Sequence, residues 1–475
     1  MSVKVDDLSA DYKEMTARYA LSDCLMGGTT AMRAAGTKFL PQEAAESDTA
    51  YKARVARSFL FGGFERTVEI LTGEVFRKGI VLSDDIPDRI TEIKDNIDLQ
   101  GNDITQFSKS CFRKVLTHGL GFILVDTPPL PKDEAGNPVP NTRKQDKKSG
   151  RRVYWVDLSA RDVIGGIVEI VNGRTIFKQV RIWETVTERD GDFGVVGIEQ
   201  IRVLEPGTWA VYRETSDSQS TEWVLFDEGT TELDYIPIVS FYFGRKEGPF
   251  LAYPPLTGLA ELNQAHWISS SDQNNILHVS RVPFLFGKML DTDNSGKVKV
   301  SANSLFHSNN PDSDLKFVEH SGAALGAGWK DLERLEMLMS LWGLELVSDA
   351  RSGSVTATEK VLTQSKSGSF LNAIALTWQD ALNTALTITC DILKIEAVGM
   401  MQVNTDFSLA LSNFDSRIIL EGFQIGLIDR GTAIDELKRR GILGENVDLT
   451  EVLAAIENDA RAQSSFGSLG SNLLR

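Results

Sequence analysis

Cysteine is nearly absent from this sequence: Cys24, Cys111 and Cys390 are the only three in 475 residues. Their wide spacing excludes both a disulfide framework and a CxxC metal pair, so reduced structural thiols are expected. Long apolar runs are also missing. The longest, such as 121–125 and 236–243, fall far short of the ~18 residues a membrane-crossing helix needs, and the N-terminus carries no signal-peptide pattern. A cytosolic protein without a membrane partner is therefore expected. Basic charge is in deficit, with 50 Lys and Arg against 66 Asp and Glu, giving a net charge of −16. That balance argues against broad electrostatic capture of nucleic acid. Screening over about 8 Å still lets a local surface differ in sign from the whole.

The signatures of catalysis are missing too. No GxxxxGK[ST] loop exists, since Gly287-Lys288 runs into Met289 without the upstream glycine. His118, His266, His278, His307 and His320 show no zinc-ligand spacing. The stretch Asp291-Thr-Asp293-Asn-Ser295-Gly296 opens like a calcium loop, but Ala302 occupies the twelfth position, where a bidentate carboxylate belongs. Gly322, Gly326 and Gly328 follow no convincing strand, so they read as a flexible approach to a helix, not a dinucleotide fingerprint. Asp84-Asp85 and Asp190/Asp192 read as surface turns. No catalytic residue, metal or cofactor is expected, and a nucleic-acid enzyme such as a nuclease is a weak rival.

What the sequence does contain is a change of period. Val55, Phe59, Phe64, Val68, Leu71 and Phe76 recur at helical spacing, with a break at Gly62-Gly63. A further helix is expected over 103–117 and a buried strand over 122–126. Five prolines between 128 and 140 predict an exposed loop from 127 to 152. Within it, Arg143, Lys144, Lys147, Lys148, Arg151 and Arg152 form a basic cluster able to meet phosphate, although a solvated loop explains it as well. From 153 to 245, short β-rich segments separated by turns such as Asn172-Gly173 predict an antiparallel β region. Helical signals return at 254–279, 328–347 and 358–398. Two or three shorter helices follow over 415–463, then a Ser/Gly tail. The fold class is α+β.

The most informative pattern is an order of elements. A helix begins near Pro254-Pro255 and carries a run from Ser269 to Asn275 that is polar all round, so it must face water, a polar channel or neighbouring subunits. Gln264, Ser269, Asp272, Gln273 and Asn274 are the candidate residues of that polar face. Short strand candidates follow at 282–287, 297–300 and 315–319, too few to bury a core alone. Trp329, Leu332, Leu335, Leu338, Met339, Trp342 and Leu346 then form one apolar stripe, which ordinary core packing also explains. After it comes a loop of small residues containing Arg351, Ser352, Gly353, Ser354 and Thr356, closed by Thr358 as a helix cap ahead of Lys360.

In this order the chain resembles the portal proteins of tailed bacteriophages, in a branch catalogued as a domain of unknown function. The resemblance is carried by 253–267, 271–278, 281–287, the Ser352–Lys360 loop and 431–443. It implies a portal-like fold with an α/β wing, a two-helix stem, a small β-containing clip and a helical crown. The implied segments are an N-terminal arm (1–48), the wing (49–255), stem helix 1 (256–280), the clip (281–327), stem helix 2 (328–347), a tunnel loop (348–358), a long wing helix with a following strand (359–414), the crown (415–463) and a disordered tail (464–475). It further implies a non-enzymatic homo-oligomer, a dodecameric ring at the capsid portal vertex of a virion, assembled in the host cytoplasm. Partners would be the terminase large subunit, the major capsid and scaffolding proteins, a head-completion or adaptor protein, and double-stranded DNA passing through the channel. Arg351 and Lys360 would be sparse phosphate contacts. Another phage capsid or neck protein is the nearest alternative.

Overall fold

Ser9, Ser47 and Asp103 each stand just ahead of an apolar-periodic segment, and each accepts a hydrogen bond from a backbone N–H of the first turn, at Tyr12, Ala50 and Gln106. These caps start helices α1 (Ala10–Met26), α3 (Asp48–Arg57) and α6 (Ile104–His118). Between them lie α2 (Gly28–Ala35), α4 (Gly63–Val75) and the short α5 (Asp88–Thr91). The computed structural model describes residues 4–131, 133, 139, 142–217, 220–280, 284–289, 311–318, 323–344, 357–405, 407 and 421–439. Over these residues the architecture is α+β, as expected.

Helix α6 ends at Gly119, whose φ of +81° puts it in the left-handed region. A Cβ there would also come within 2.9 Å of Pro254 Cα, so both backbone conformation and close approach call for glycine. The chain turns directly into β2 (Leu120–Asp126), which pairs antiparallel with β3 (Tyr154–Ser159) and β9 (Ile238–Tyr242). The all-apolar run of β2 has a physical cause. Ile123 and Val125 point into one core with α4 and α6, while Leu120, Phe122 and Leu124 point into a second with Met15 and Tyr19 of α1. A strand buried on both faces cannot alternate with polar residues.

A second sheet of five strands runs in sequence order, β4 (Val163–Val171), β5 (Arg174–Asp190), β6 (Gly194–Glu205), β7 (Thr208–Asp217) and β8 (Ser220–Thr230), all antiparallel. Three two-stranded pairs complete the set: β1 (Val81–Leu82) with β14 (Met401–Gln402), β10 (Arg245–Lys246) with β11 (Ala252–Tyr253), and β12 (Phe284–Lys288) with β13 (Asp314–Val318). The remaining helices are α7 (Arg143–Ser149), α8 (Thr257–Ser280), α9 (Ala323–Met339), α10 (Ala357–Leu393) and α11 (Arg430–Arg439). A π-helical turn, Ser340–Leu344, extends α9. Helix α10 is the spine of the larger core: Trp378 is fully buried and meets the Phe241 ring edge-on at 4.9 Å, and Trp155 Nε1 donates to Thr389 Oγ1 at 2.9 Å.

Several expectations need correcting. Residues 10–40 bury Met15, Tyr19, Leu25, Met32 and Leu40 in the two cores, so this part of the N-terminal segment packs on the body. The loop 127–152 contains α7, closed by a capping box between Thr142 and Gln145. Helix α9 begins five residues before the expected 328, and α10 stops at Leu393 instead of 398. The strand expected at 297–300, the loop residues 348–356 and most of 415–475 lie outside the described residues.

Candidate functional site

The site that the sequence order singles out is the pair α8 and α9. Thr257 Oγ1 donates to the Pro254 carbonyl at 2.9 Å, fixing the first turn of α8 behind two prolines that suit a helix start. At ~1.5 Å per residue, its 24 residues make a rod about 36 Å long. Its first half is anchored, with Leu259, Ala260 and Trp267 fully buried in the larger core.

From Asn263 onward several polar groups of the helix find partners inside the chain. Toward α9 they form an antiparallel ladder: His266 Nε2 lies 3.4 Å from Glu336 Oε1, Ser269 Oγ donates to Asp331 Oδ2 at 2.9 Å, and Gln273 Nε2 donates to the Leu325 carbonyl at 3.0 Å. Gly328 lets this happen, since a Cβ there would run into the Gln273 carboxamide. Toward α3 and α4, Asn263 accepts from Phe64 N at 2.8 Å and donates to Phe61 O at 2.9 Å, Ser58 Oγ donates to Ser271 Oγ at 2.8 Å, and Arg57 reaches Asn275 Oδ1 at 3.0 Å.

Arg54 is the centre of that second seam. Its side chain is 4% exposed and is held by Glu46 at 2.8 Å, the Pro41 carbonyl at 2.7 Å, Ser271 Oγ at 3.4 Å and Asp272 at 3.4 Å. The hydrogen bond from Arg54 holds the Glu46 carboxyl below its ordinary value, and that of Glu46 raises the guanidinium against the opposing effect of burial. Asp272 moves the other way, raised by burial despite the nearby Arg54. Burial lowers His266, with Glu336 opposing, whereas hydrogen bonds from Arg334 and then Ser269 lower Asp331.

The arrangement holds helix surfaces together through hydrogen bonds and ion pairs. His266 stacks on Phe61 at 5.1 Å, and His118 pairs with Asp23 at 2.8 Å beneath Tyr19. The second ring nitrogen of each His has no hydrogen-bond partner, so neither completes a nucleophile–base relay. Among the described residues no group of three His, Cys, Asp or Glu side chains is placed to hold a metal, and no helix is long and apolar enough to cross a membrane.

Of the sequence candidates, Ser269, Asp272 and Gln273 enter these seams, with Gln273 only 3% exposed. Gln264 and Asn274 are half-buried on the same helix. The polar run thus faces α3 and α9 as well as outward. Lys360 lies in α10, and Arg351, Ser352, Gly353, Ser354 and Thr356 lie outside the described residues. Sequence reading missed Arg54, Asn263 and Ser271. The available signal was Tyr51, Arg54 and Ser58 sharing one face of a helix, opposite a polar run with no assigned partner.

No curated protein matches this chain. Residues 255–391, from the start of α8 through nearly all of α10, match the model of a family described as a domain of unknown function (DUF4055). Among solved structures, the chain is similar to one in the neck of an empty GTA particle computed with C6 symmetry, at 8% identity and a TM-score of 0.42, covering 80% of this chain and 90% of that one. It is similar to another in the neck of a native GTA particle computed with C12 symmetry (10% identity, TM-score 0.41, 80% and 89% covered) and to one in the virion of a native gene transfer agent particle (10%, 0.38, 87% and 98%).

Proposed function

We propose that this chain is the ring-forming portal subunit of a tailed-phage-like particle: a conduit for double-stranded DNA and a platform for the terminase and head-completion proteins, with no covalent chemistry of its own. The observation that carries this reading is the antiparallel α8–α9 pair with the β12–β13 hairpin at its outer end. Two strands alone are marginal in water, and this hairpin leaves Phe286 48% and Met289 60% exposed. Neighbouring copies would supply what the hairpin lacks. Head-to-tail contacts that close on themselves make rings, and α8 and α9 would be the stem that brings neighbouring hairpins together. The segment 348–356 ahead of α10 would then be the tunnel loop facing the channel, with Arg351 and, in the first turn of α10, Lys360 as sparse phosphate contacts. An acidic chain suits a conduit, because dense Lys and Arg contacts would hold DNA at every step.

Negative-stain microscopy of the purified protein tests this. Closed rings with a central channel, twelvefold in the simplest case, are expected. Monomers with magnesium-dependent nuclease or ATPase activity would overturn the proposal, and closed shells or sheets would point instead to a capsid component.

A further inference from the structure

In a chain of net charge −16, one exposed element has the opposite sign. Helix α7 reads Arg143-Lys-Gln-Asp-Lys-Lys-Ser149 and contains no apolar residue. Seven residues are too few for a helix to persist in water unaided, and this one is held at both ends. Thr142 and Gln145 form a reciprocal capping box, and Gly150 N–H closes on the Asp146 carbonyl. Behind it, Arg151 donates to the Pro128 carbonyl at 2.8 Å and pairs with Asp146 at 3.4 Å, and Arg152 donates to the Asn96 and Val153 carbonyls. Two of the cluster's cations therefore tether the helix to the body. Three others, Lys144, Lys147 and Lys148, are exposed and pair with no carboxylate among the described residues.

Those three occupy positions i, i+3 and i+4, with Cβ atoms about 5–6 Å apart on one face. Like charges at that spacing destabilise a helix by a few tenths of a kcal/mol per pair, a cost that an anionic partner would reverse. We propose that α7 is a docking surface for the phosphate backbone of double-stranded DNA, bound without regard to sequence. A protein partner fits worse. Interface cores are built on aromatic and aliphatic anchors and are poor in lysine, and α7 offers no such anchor. Duplex DNA presents one charge per about 3.4 Å of axis on each strand and needs only lysines facing it. Nothing in α7 is preset for sequence readout: Gln145 is engaged in the capping box, Arg151 and Arg152 are engaged with main-chain carbonyls, and flexible lysines act on phosphate as point charges. This surface does not depend on the ring reading.

The test is binding of a labelled 30-base-pair duplex of mixed sequence to the full chain at 50, 100 and 200 mM salt. It compares the wild type with the triple variant Lys144→Gln, Lys147→Gln, Lys148→Gln. A control triple, Lys13→Gln, Lys52→Gln, Lys330→Gln, removes the same charge from exposed positions elsewhere. Losing three phosphate contacts should lower the salt slope by about 2.7, so roughly 40-fold of the affinity change between 50 and 200 mM disappears. The control should bind like the wild type, and Lys→Arg at the three α7 positions should keep binding. Undetectable wild-type binding at 50 mM salt would overturn the proposal. So would equal losses in both triple variants, or an α7 variant that binds DNA normally. A self-association defect in sedimentation with DNA binding intact would assign α7 to an acidic protein surface instead.

Discussion

Arg54 shows how much one side chain can organise. It satisfies a carbonyl, two carboxylates and a hydroxyl from two distant parts of the chain while its own head is withdrawn from water. Arg54→Met keeps the apolar stem but leaves Glu46 and the Pro41 carbonyl without their donor, so a loss of about 3 kcal/mol is expected in urea unfolding. Asp272 adds little to that figure because it is half exposed. Glu46, held below its ordinary value in the folded state, contributes stability that is present above its unfolded pKa and lost as pH falls through the folded one. Glu46→Gln should therefore flatten the acid limb of the stability profile between pH 5 and 3.

His266 gives the opposite kind of titration. Burial lowers it, so the unfolded chain takes up a proton more readily, and stability falls as pH drops below the unfolded value of about 6.5. Replacing it with glutamine, which keeps a donor toward Glu336, should abolish the decline between pH 7 and 5. A wild-type profile already flat across that range would discount burial as the dominant influence on His266, with the Glu336 contact offsetting it.

Helix α10 carries its own test at the scale of an element. Trp378 is fully buried against Phe241, yet its indole N–H has no hydrogen-bond partner. Trp378→Ala opens a cavity in the larger core and should cost about 3–5 kcal/mol. Trp378→Phe keeps most of the ring and removes the unpaired donor, so a loss of about 1 kcal/mol is expected, again from urea midpoints. Elements of this kind were largely legible in the sequence. The apolar period through Leu371, Ile374, Trp378, Leu382 and Leu386 marks α10, and the caps at Ser47 and Asp103 mark α3 and α6. Two features were not legible. The depth to which α1 is buried does not show in the sequence, because its buried side is only Met15, Tyr19, Ser22 and Leu25, a sparse stripe among many polar residues. Helix α7 was hidden by the prolines before it, although Thr142 and Gln145 spell the capping box. At the candidate site, the polar run of α8 was visible, but its partners were not. Arg54 lies more than two hundred residues away in sequence, and no periodicity can pair the two.

For the whole molecule, the decisive surface is the outer side of α9. The sequence stripe on this helix divides in three dimensions: Leu332, Leu335 and Met339 are buried against the body, while Trp329 and Trp342 are about half exposed. Trp329, Met337 and Leu341 fall at multiples of four residues along the opposite side, 51%, 56% and 47% exposed. On an isolated chain such a row is a liability. In a ring it is what a neighbour would cover. Met337→Glu places a charge in the middle of this row, where an exposed site tolerates it within about 0.5 kcal/mol of monomer stability, but burial in an interface would not. The variant should fold with an unchanged urea midpoint at low protein concentration while failing to form rings, as read by sedimentation velocity and negative-stain microscopy. Lys13→Glu, exposed on α1 and outside this row, should leave assembly intact. Normal rings from Met337→Glu would move the subunit contact off α9, leaving the α8 side and the β12–β13 hairpin to carry it.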